Sequence, residues 1–288
     1  MRRYLGIDAG GSNCRARLTD ETGAILGTGL SGPANARVGL DQLFATLSQA
    51  ADQAIAQAGL SPAQVGEIHA GMGIAGISRP GMPEQLETLR FPFASVAYET
   101  DAAIANIGAH SGADGATLIL GTGSVAFVQV ADRRFTIGGY GFPISDEGSG
   151  AALGLSAMRH ALRALDGRTQ RTRLSTAVTE RFGHDPAEAI AWMDDAAPGD
   201  YAAFAPMVMD HAEDGDPIAR SIVEDAAGHV ERFVETIFER GAPRCVLVGG
   251  LSHRMRDWLR ARTIARLSEP LGDALDGALQ LAGLPVPA

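Results

Sequence analysis

Two glycine turns and a handful of carboxylates have the types and spacings for chemistry in this chain. Residues 4–12, YLGIDAGGS, put apolar Leu5 and Ile7 in a short strand, then Asp8, then a glycine pair and a hydroxyl. Gly10 and Gly11 carry no Cβ, so an anion can reach backbone N–H donors there, with Ser12 beside them. Asp8 sets a carboxylate at the mouth of that turn, where a phosphate-bound Mg²⁺ would need an oxygen ligand. A glycine pattern this short also fits an ordinary β-turn with a turn aspartate. Residues 117–130, TLILGTGSVAFVQV, repeat the plan: an apolar strand, the turn Gly121, Thr122, Gly123 and Ser124, then a returning apolar strand. One such turn in each half predicts two similar domains facing each other across a nucleotide.

Phosphoryl transfer further needs a placed acceptor and a base for its proton. Glu99 and Asp101, in residues 97–109 (AYETDAAIANIGA), are offered where a strand ends and a helix begins, the edge at which α/β sites collect. Spacing leaves two readings open for Asp101, a catalytic base or an N-cap for Ala102, Ala103 and Ile104. Asp146 and Glu147, in residues 138–154 (GGYGFPISDEGSGAALG), suit sugar hydroxyls, and they equally suit the first turn of a helix. Asn35, in GPAN, reads as a ligand-binding or a turn asparagine. Residues 72–76, MGIAG, offer backbone contacts at Ala75 and Gly76. Gly249 and Gly250 follow a buried strand and, on residue types alone, read as a plain strand-to-helix turn.

LGIDAGGS and LILGTGS resemble the two phosphate motifs of the superfamily of sugar kinases, heat-shock chaperone ATPases and actin. GGYG followed by SDEGSG is similar to the GGWG and GDEGS pattern of the N-acetylglucosamine kinase branch of the BadF/BadG/BcrA/BcrD group. The resemblance implies a two-domain actin-like ATPase (ribonuclease H-like) α/β fold with an interdomain cleft, and phosphorylation of glucosamine or N-acetylglucosamine at the C6 hydroxyl. ATP and Mg²⁺ are the implied cofactors. It makes Asp101 the base, Asp8 the metal-side carboxylate, and Gly10 to Ser12, Gly121 to Ser124, Gly249 and Gly250 the nucleotide loops. The sugar falls to Asn35, Ala75, Gly76, Asp101, Tyr140 and Asp146, with Tyr140 standing where many relatives carry Trp. An ATPase activator of a dehydratase and a non-catalytic sugar sensor are the alternatives on the same fold. The first needs several thiolates for its cluster; the second usually adds a DNA-binding segment ahead of the first phosphate strand.

Elements must bring these residues together. Strands are predicted over residues 13–20, 24–30, 67–74, 95–99, 117–121, 125–130, 135–137 and 245–248, with a last short one within 263–267 and a polar tip at Asp132, Arg133 and Arg134. Helical periodicity runs over 40–58, with Gly59 as its stop, and helices are predicted over 83–90, 101–109, 218–238 and 271–281. Residues 149–240 are largely helical. The order β-β-β-α-β-α-β-α is the one the superfamily repeats. It gives residues 1–112 with 271–288 as one domain, and 113–270, with a helical insert, as the other.

Composition narrows the class. A hydrophobic fraction of 45% with 20% charged residues is that of a globular chain. A net charge of −10 argues against a nucleic-acid partner. All the basic residues are arginine, which excludes a Walker A lysine, a Schiff-base lysine and pyridoxal phosphate. Cys14 and Cys245 make neither a metal spacing nor a disulfide framework. No signal peptide or membrane-spanning run is visible, so a cytoplasmic protein is expected, with a homodimer among the expected assemblies.

Overall fold

The computed structural model describes residues 2–11, 13–36 and 38–286. It divides into two compact units, Met1–Gly115 with Glu269–Ala288, and Ala116–Ser268. Among the described residues no helix is long and apolar enough to cross a membrane.

The first unit opens on a meander of β1 (Arg3–Ala9), β2 (Cys14–Asp20) and β3 (Ile25–Ser31). Then come α1 (Leu40–Ala58), α2 (Pro62–Val65), β4 (Ile68–Ile74), α3 (Met82–Leu86), β5 (Ser95–Glu99) and α4 (Asp101–His110). The sheet order is β3-β2-β1-β4-β5, with β1, β4 and β5 parallel. In α1, Leu43, Leu47, Ala50, Ala51 and Ala54 fall on one buried face, and left-handed Gly59 ends the helix. That face packs on Leu5, Ile7, Met72 and Ile74 of the sheet. At the open edge, the Thr28 N–H donates to Gln57 Oε1 (2.6 Å) and the Leu30 N–H to Gln53 Oε1 (2.9 Å), both from α1.

The second unit repeats the plan with β6 (Gly115–Leu120), β7 (Ser124–Val130) and β8 (Arg133–Gly138). A helical stretch follows, α5 (Gly150–Leu165), α6 (Arg173–Glu180), α7 (Pro186–Asp195), α8 (Pro198–Ala202), α9 (Ala205–Glu213) and α10 (Pro217–Glu239). β9 (Cys245–Val248), α11 (Ser252–Arg256), α12 (Ala261–Ile264) and β10 (Leu267–Ser268) complete it. Its sheet order, β10-β9-β6-β7-β8, is that of the first sheet counted from the other strand set. Apolar residues of α5, α9 and α10 bury Leu118, Leu120 and Val128.

The chain then returns to the first unit as α13 (Ala274–Leu281), which packs on α4, β1 and β4. Arg17 of β2 clamps it, with NH2 2.7 Å from Asp273 and NH1 2.6 Å from Asp276. Several boundaries differ from the sequence reading, among them the helix expected over 83–90, which ends at Leu86. The helix expected over 271–281 begins at Ala274, because Asp273 and Asp276 each accept the other's backbone N–H at 2.9 Å in a capping box. The strand expected within 263–267 shrinks to Leu267–Ser268; β-branched Thr263 and Ile264 are helical, and the Arg260 N–H ahead of them is held by Glu231 Oε1 at 2.7 Å. Arg133 and Arg134 belong to β8, so Ala131 and Asp132 alone make the turn.

Gly277 sets how closely α13 approaches α4, since a Cβ there would overlap the Ile104 carbonyl oxygen. In an exposed helix, Gly→Ala gains about 1 kcal/mol. Gly277→Ala is expected to reverse that sign and cost about 1–3 kcal/mol by overpacking, read as a lowered melting temperature.

Candidate active site

Parallel pairing decides which residues meet in the first unit. Asp8 lies opposite Gly73, and Gly73 opposite Glu99, so the three share one sheet face near the carboxyl ends of their strands. The chain leaving β4 is drawn to the chain leaving β1, with the Ala75 N–H donating to the Ala9 carbonyl at 2.9 Å. The segment carrying Asn35 lies along both: the Ala34 N–H donates to Gly10 O (3.0 Å), the Ala36 N–H to Ala75 O (2.9 Å), and Asn35 forms a parallel bridge with Ala75. Gly76 follows in a left-handed conformation, φ 80°. Asp8, Gly10, Asn35, Ala75 and Gly76 are therefore gathered at one edge. Gly11 is exposed beside them, and Ser12 lies outside the described residues.

Asp101 opens α4 at the same edge. The helix is capped by its neighbour, Thr100, whose Oγ1 accepts the Ala103 N–H at 3.0 Å. That decides against the N-cap reading of Asp101 and leaves its carboxylate for other work. Burial pushes the Asp101 carboxyl above its ordinary range, and the negative charge of Asp8 adds to the rise, so the two carboxylates feel each other. Glu99 Oε2 accepts the Thr100 N–H at 3.3 Å.

Sequence motifs pass over two of these residues. Thr100 is hidden by the stronger capping candidate next to it. Arg15 is the cross-strand neighbour of Asp8, and its NH2 donates to Asp8 Oδ2 at 2.5 Å. The alternation Cys14, Arg15, Ala16, Arg17 is the signal, because it puts both arginines on the Asp8 face of β2.

In the second unit the turn of Gly121 to Ser124 is tight, with the Gly121 N–H donating to Gly123 O at 3.0 Å. The start of α5 is tied to it: the Gly150 N–H donates to Gly121 O (2.8 Å) and the Ala151 N–H to Thr122 O (3.1 Å). Ser124 Oγ donates to Glu147 O at 2.8 Å. Asp146 is left-handed, φ 68°, and its carboxylate lies on the turn where a Cβ on Gly123 would clash with it. Burial raises the Asp146 carboxyl and the charge of Glu147 adds, against hydrogen bonds from backbone N–H groups, that of Ser124 foremost. Ser149, not a carboxylate, caps α5 by accepting the Ala152 N–H at 3.2 Å. Asp146 thus joins the acceptor-side motif to the second glycine turn. Tyr140 projects from that motif, 84% exposed. Gly249, with φ 102°, brings the chain leaving β9 against the chain leaving β6, where the Leu251 N–H donates to Leu120 O at 3.1 Å; Gly249 and Gly250 are both exposed. Cys14 and Cys245 are buried free thiols, pushed up by burial to about 11 and about 12.

Doubled sheets of this order, each with a glycine turn after its first strand, define the actin-like kinase and ATPase fold. Within it the chain belongs to the BadF/BadG/BcrA/BcrD ATPase family, which matches residues 5–279. A glucosamine kinase, GspK of Vibrio cholerae, is 38% identical over 285 residues, covering 99% of this chain and 97% of that protein. A solved structure from Chromobacterium violaceum, assigned as an N-acetylglucosamine kinase, superposes with a TM-score of 0.91 at 31% identity, covering 98% of this chain and 99% of its own. A ROK family glucokinase from Streptomyces griseus, solved with glucose and AMPPNP, shares the fold at a TM-score of 0.60 and 19% identity, covering 98% of this chain and all of its own at 100%.

The raised Asp101 carboxyl has a consequence for stability. The folded state keeps that proton above the ordinary value of 3.8, where the unfolded state has released it. Stability from this group is therefore lost as pH rises out of the ordinary carboxylate range. Asp101→Asn is expected to melt higher than the wild type at about pH 7 and nearly alike at about pH 3, read by thermal melts without nucleotide.

Proposed function

We propose that this chain transfers the γ-phosphoryl group of ATP to the C6 hydroxyl of an amino sugar. The observation that carries the reading is Asp101: it sits at a strand-to-helix edge, is relieved of capping by Thr100, and holds its proton more tightly because it is buried, with the charge of Asp8 adding to the effect. A carboxylate tuned upward is a better base near neutral pH than an ordinary one.

In this reading the N–H groups of the turns at Gly10 to Ser12 and Gly121 to Ser124 cradle the phosphates, and Gly249 and Gly250 receive the adenosine side. Asn35, Ala75, Gly76, Asp146 and Tyr140 orient the sugar. Asp101 takes the C6 proton as that oxygen attacks phosphorus, and ADP departs. Asp8 would hold Mg²⁺, which when bound neutralises phosphate charge. The donor fits: Asp8 offers hard carboxylate oxygens and already attracts a cation, the Arg15 guanidinium. Among the described residues no group of three or more potential ligands is gathered. Mg²⁺ suits such a place, because it keeps waters and phosphate oxygens and takes only one or two carboxylates. Of the two sugars we rank glucosamine first, since the relative that is 38% identical over 285 residues is a glucosamine kinase.

ADP release measured across glucosamine, N-acetylglucosamine, N-acetylmuramate, N-acetylmannosamine and glucose tests the assignment, with the amino sugars expected to dominate. Turnover confined to glucose, or absent with all five, would overturn it. Asp101→Ala is expected to lower kcat by about 10²–10⁴-fold while sugar affinity in a binding titration stays near that of the wild type.

A further inference from the structure

The first glycine turn is closed by a hairpin that carries two arginines on one face, and they are used differently. Arg17 is consumed: its guanidinium makes hydrogen bonds of 3.3, 2.7 and 2.6 Å to Asp273 and Asp276, and its side chain is 19% exposed. Arg15 makes one hydrogen bond, to Asp8 at 2.5 Å, and its side chain is 44% exposed. Among the described residues no second acceptor takes its remaining N–H groups. Arg15 and Asp8 are register partners on β2 and β1, two residues short of Gly10 on one strand and two beyond Asn13 on the other, so the pair stands beside the turn itself.

A chain without lysine must meet phosphate charge with arginine, metal or backbone. Two other arginines of this unit are committed elsewhere, Arg3 to Glu67 and Arg90 to the Glu87 and Leu89 carbonyls. The guanidinium holds Asp8 through Oδ2, and a divalent ion at Asp8 would repel it. The planar guanidinium then has a natural second partner in the phosphate oxygens, which match its paired donors. Resting on the proposed kinase reading, we infer that Arg15 is a phosphate-binding residue that neutralises Asp8 in the empty enzyme and moves to the nucleotide phosphates when a metal takes Asp8. The exchange keeps the charge of the edge near balance in both states. It also sets an order, in which a metal-free nucleotide finds Arg15 already occupied.

The test is a cycle of ADP-binding titrations on wild type, Asp8→Asn, Arg15→Ala and the double variant, each with excess EDTA and with excess Mg²⁺. Thermal melts confirm folding, and Arg15→Gln replaces Arg15→Ala if the latter fails to fold. In EDTA, Asp8→Asn is expected to bind ADP about tenfold more tightly than wild type, because Arg15 is released to the phosphates. That gain should vanish when Arg15→Ala is present. With Mg²⁺, Arg15→Ala is expected to weaken ADP about tenfold. If Asp8→Asn changes metal-free affinity equally with and without Arg15, the carboxylate merely repels phosphate and the inference is wrong. Wild type that fails to bind Mg²⁺–ADP at all would instead remove the kinase reading, and this inference with it.

Discussion

Parallel pairing of β1, β4 and β5 is the constraint on which the first unit depends. A parallel sheet sends all of its carboxyl ends to one side, so residues distant in sequence arrive there together. Asp8 ends one strand, the Asn35 and Ala75 bridge is threaded beside it, and Asp101 begins the helix after the third. The arrangement concentrates negative charge where burial already penalises it, and the raised Asp101 carboxyl is the result. Such a site is held against its own electrostatics by the packing of α1 on one face and of α4 and α13 on the other.

Much of this could be read from residue types. The paired glycine turns predicted a doubled fold, and the two sheets have the same order. The helix over 40–58 was plain because apolar residues from Leu40 to Ala58 recur at its period and a glycine stops it. What the chain hid was mostly the outcome of competition between neighbours. Thr100 and Asp101 both qualify as caps, and only packing decides that the hydroxyl takes the Ala103 N–H. Asp146 and Ser149 compete likewise at the start of α5, and there the aspartate is turned by a left-handed backbone onto the glycine turn. The Asp8 and Arg15 pair depends on strand register, which no single-strand pattern specifies. Thr263 and Ile264 look like strand and are helical because contacts at Arg260 and Glu231 outweigh propensity.

The second unit shows how one design is put to a different use. Its turn at Gly121 to Ser124 takes the place of the first turn, yet it is fastened by backbone hydrogen bonds to the start of α5 and overlaid by a carboxylate from the neighbouring loop. The first turn is instead flanked by an ion pair. Backbone hydrogen bonds to a following helix and a side-chain ion pair are distinct ways of flanking a glycine turn, and each unit carries one.

The glutamines of α1 have an effect beyond their own helix. Open sheet margins are where chains recruit foreign strands and grow into fibrils. At β3 two of the donors that would template such growth, the Thr28 and Leu30 N–H groups, are taken by Gln57 and Gln53. Strand addition along that margin is thereby disfavoured, and Ile25 and Leu30 stand exposed there as side chains a partner would meet.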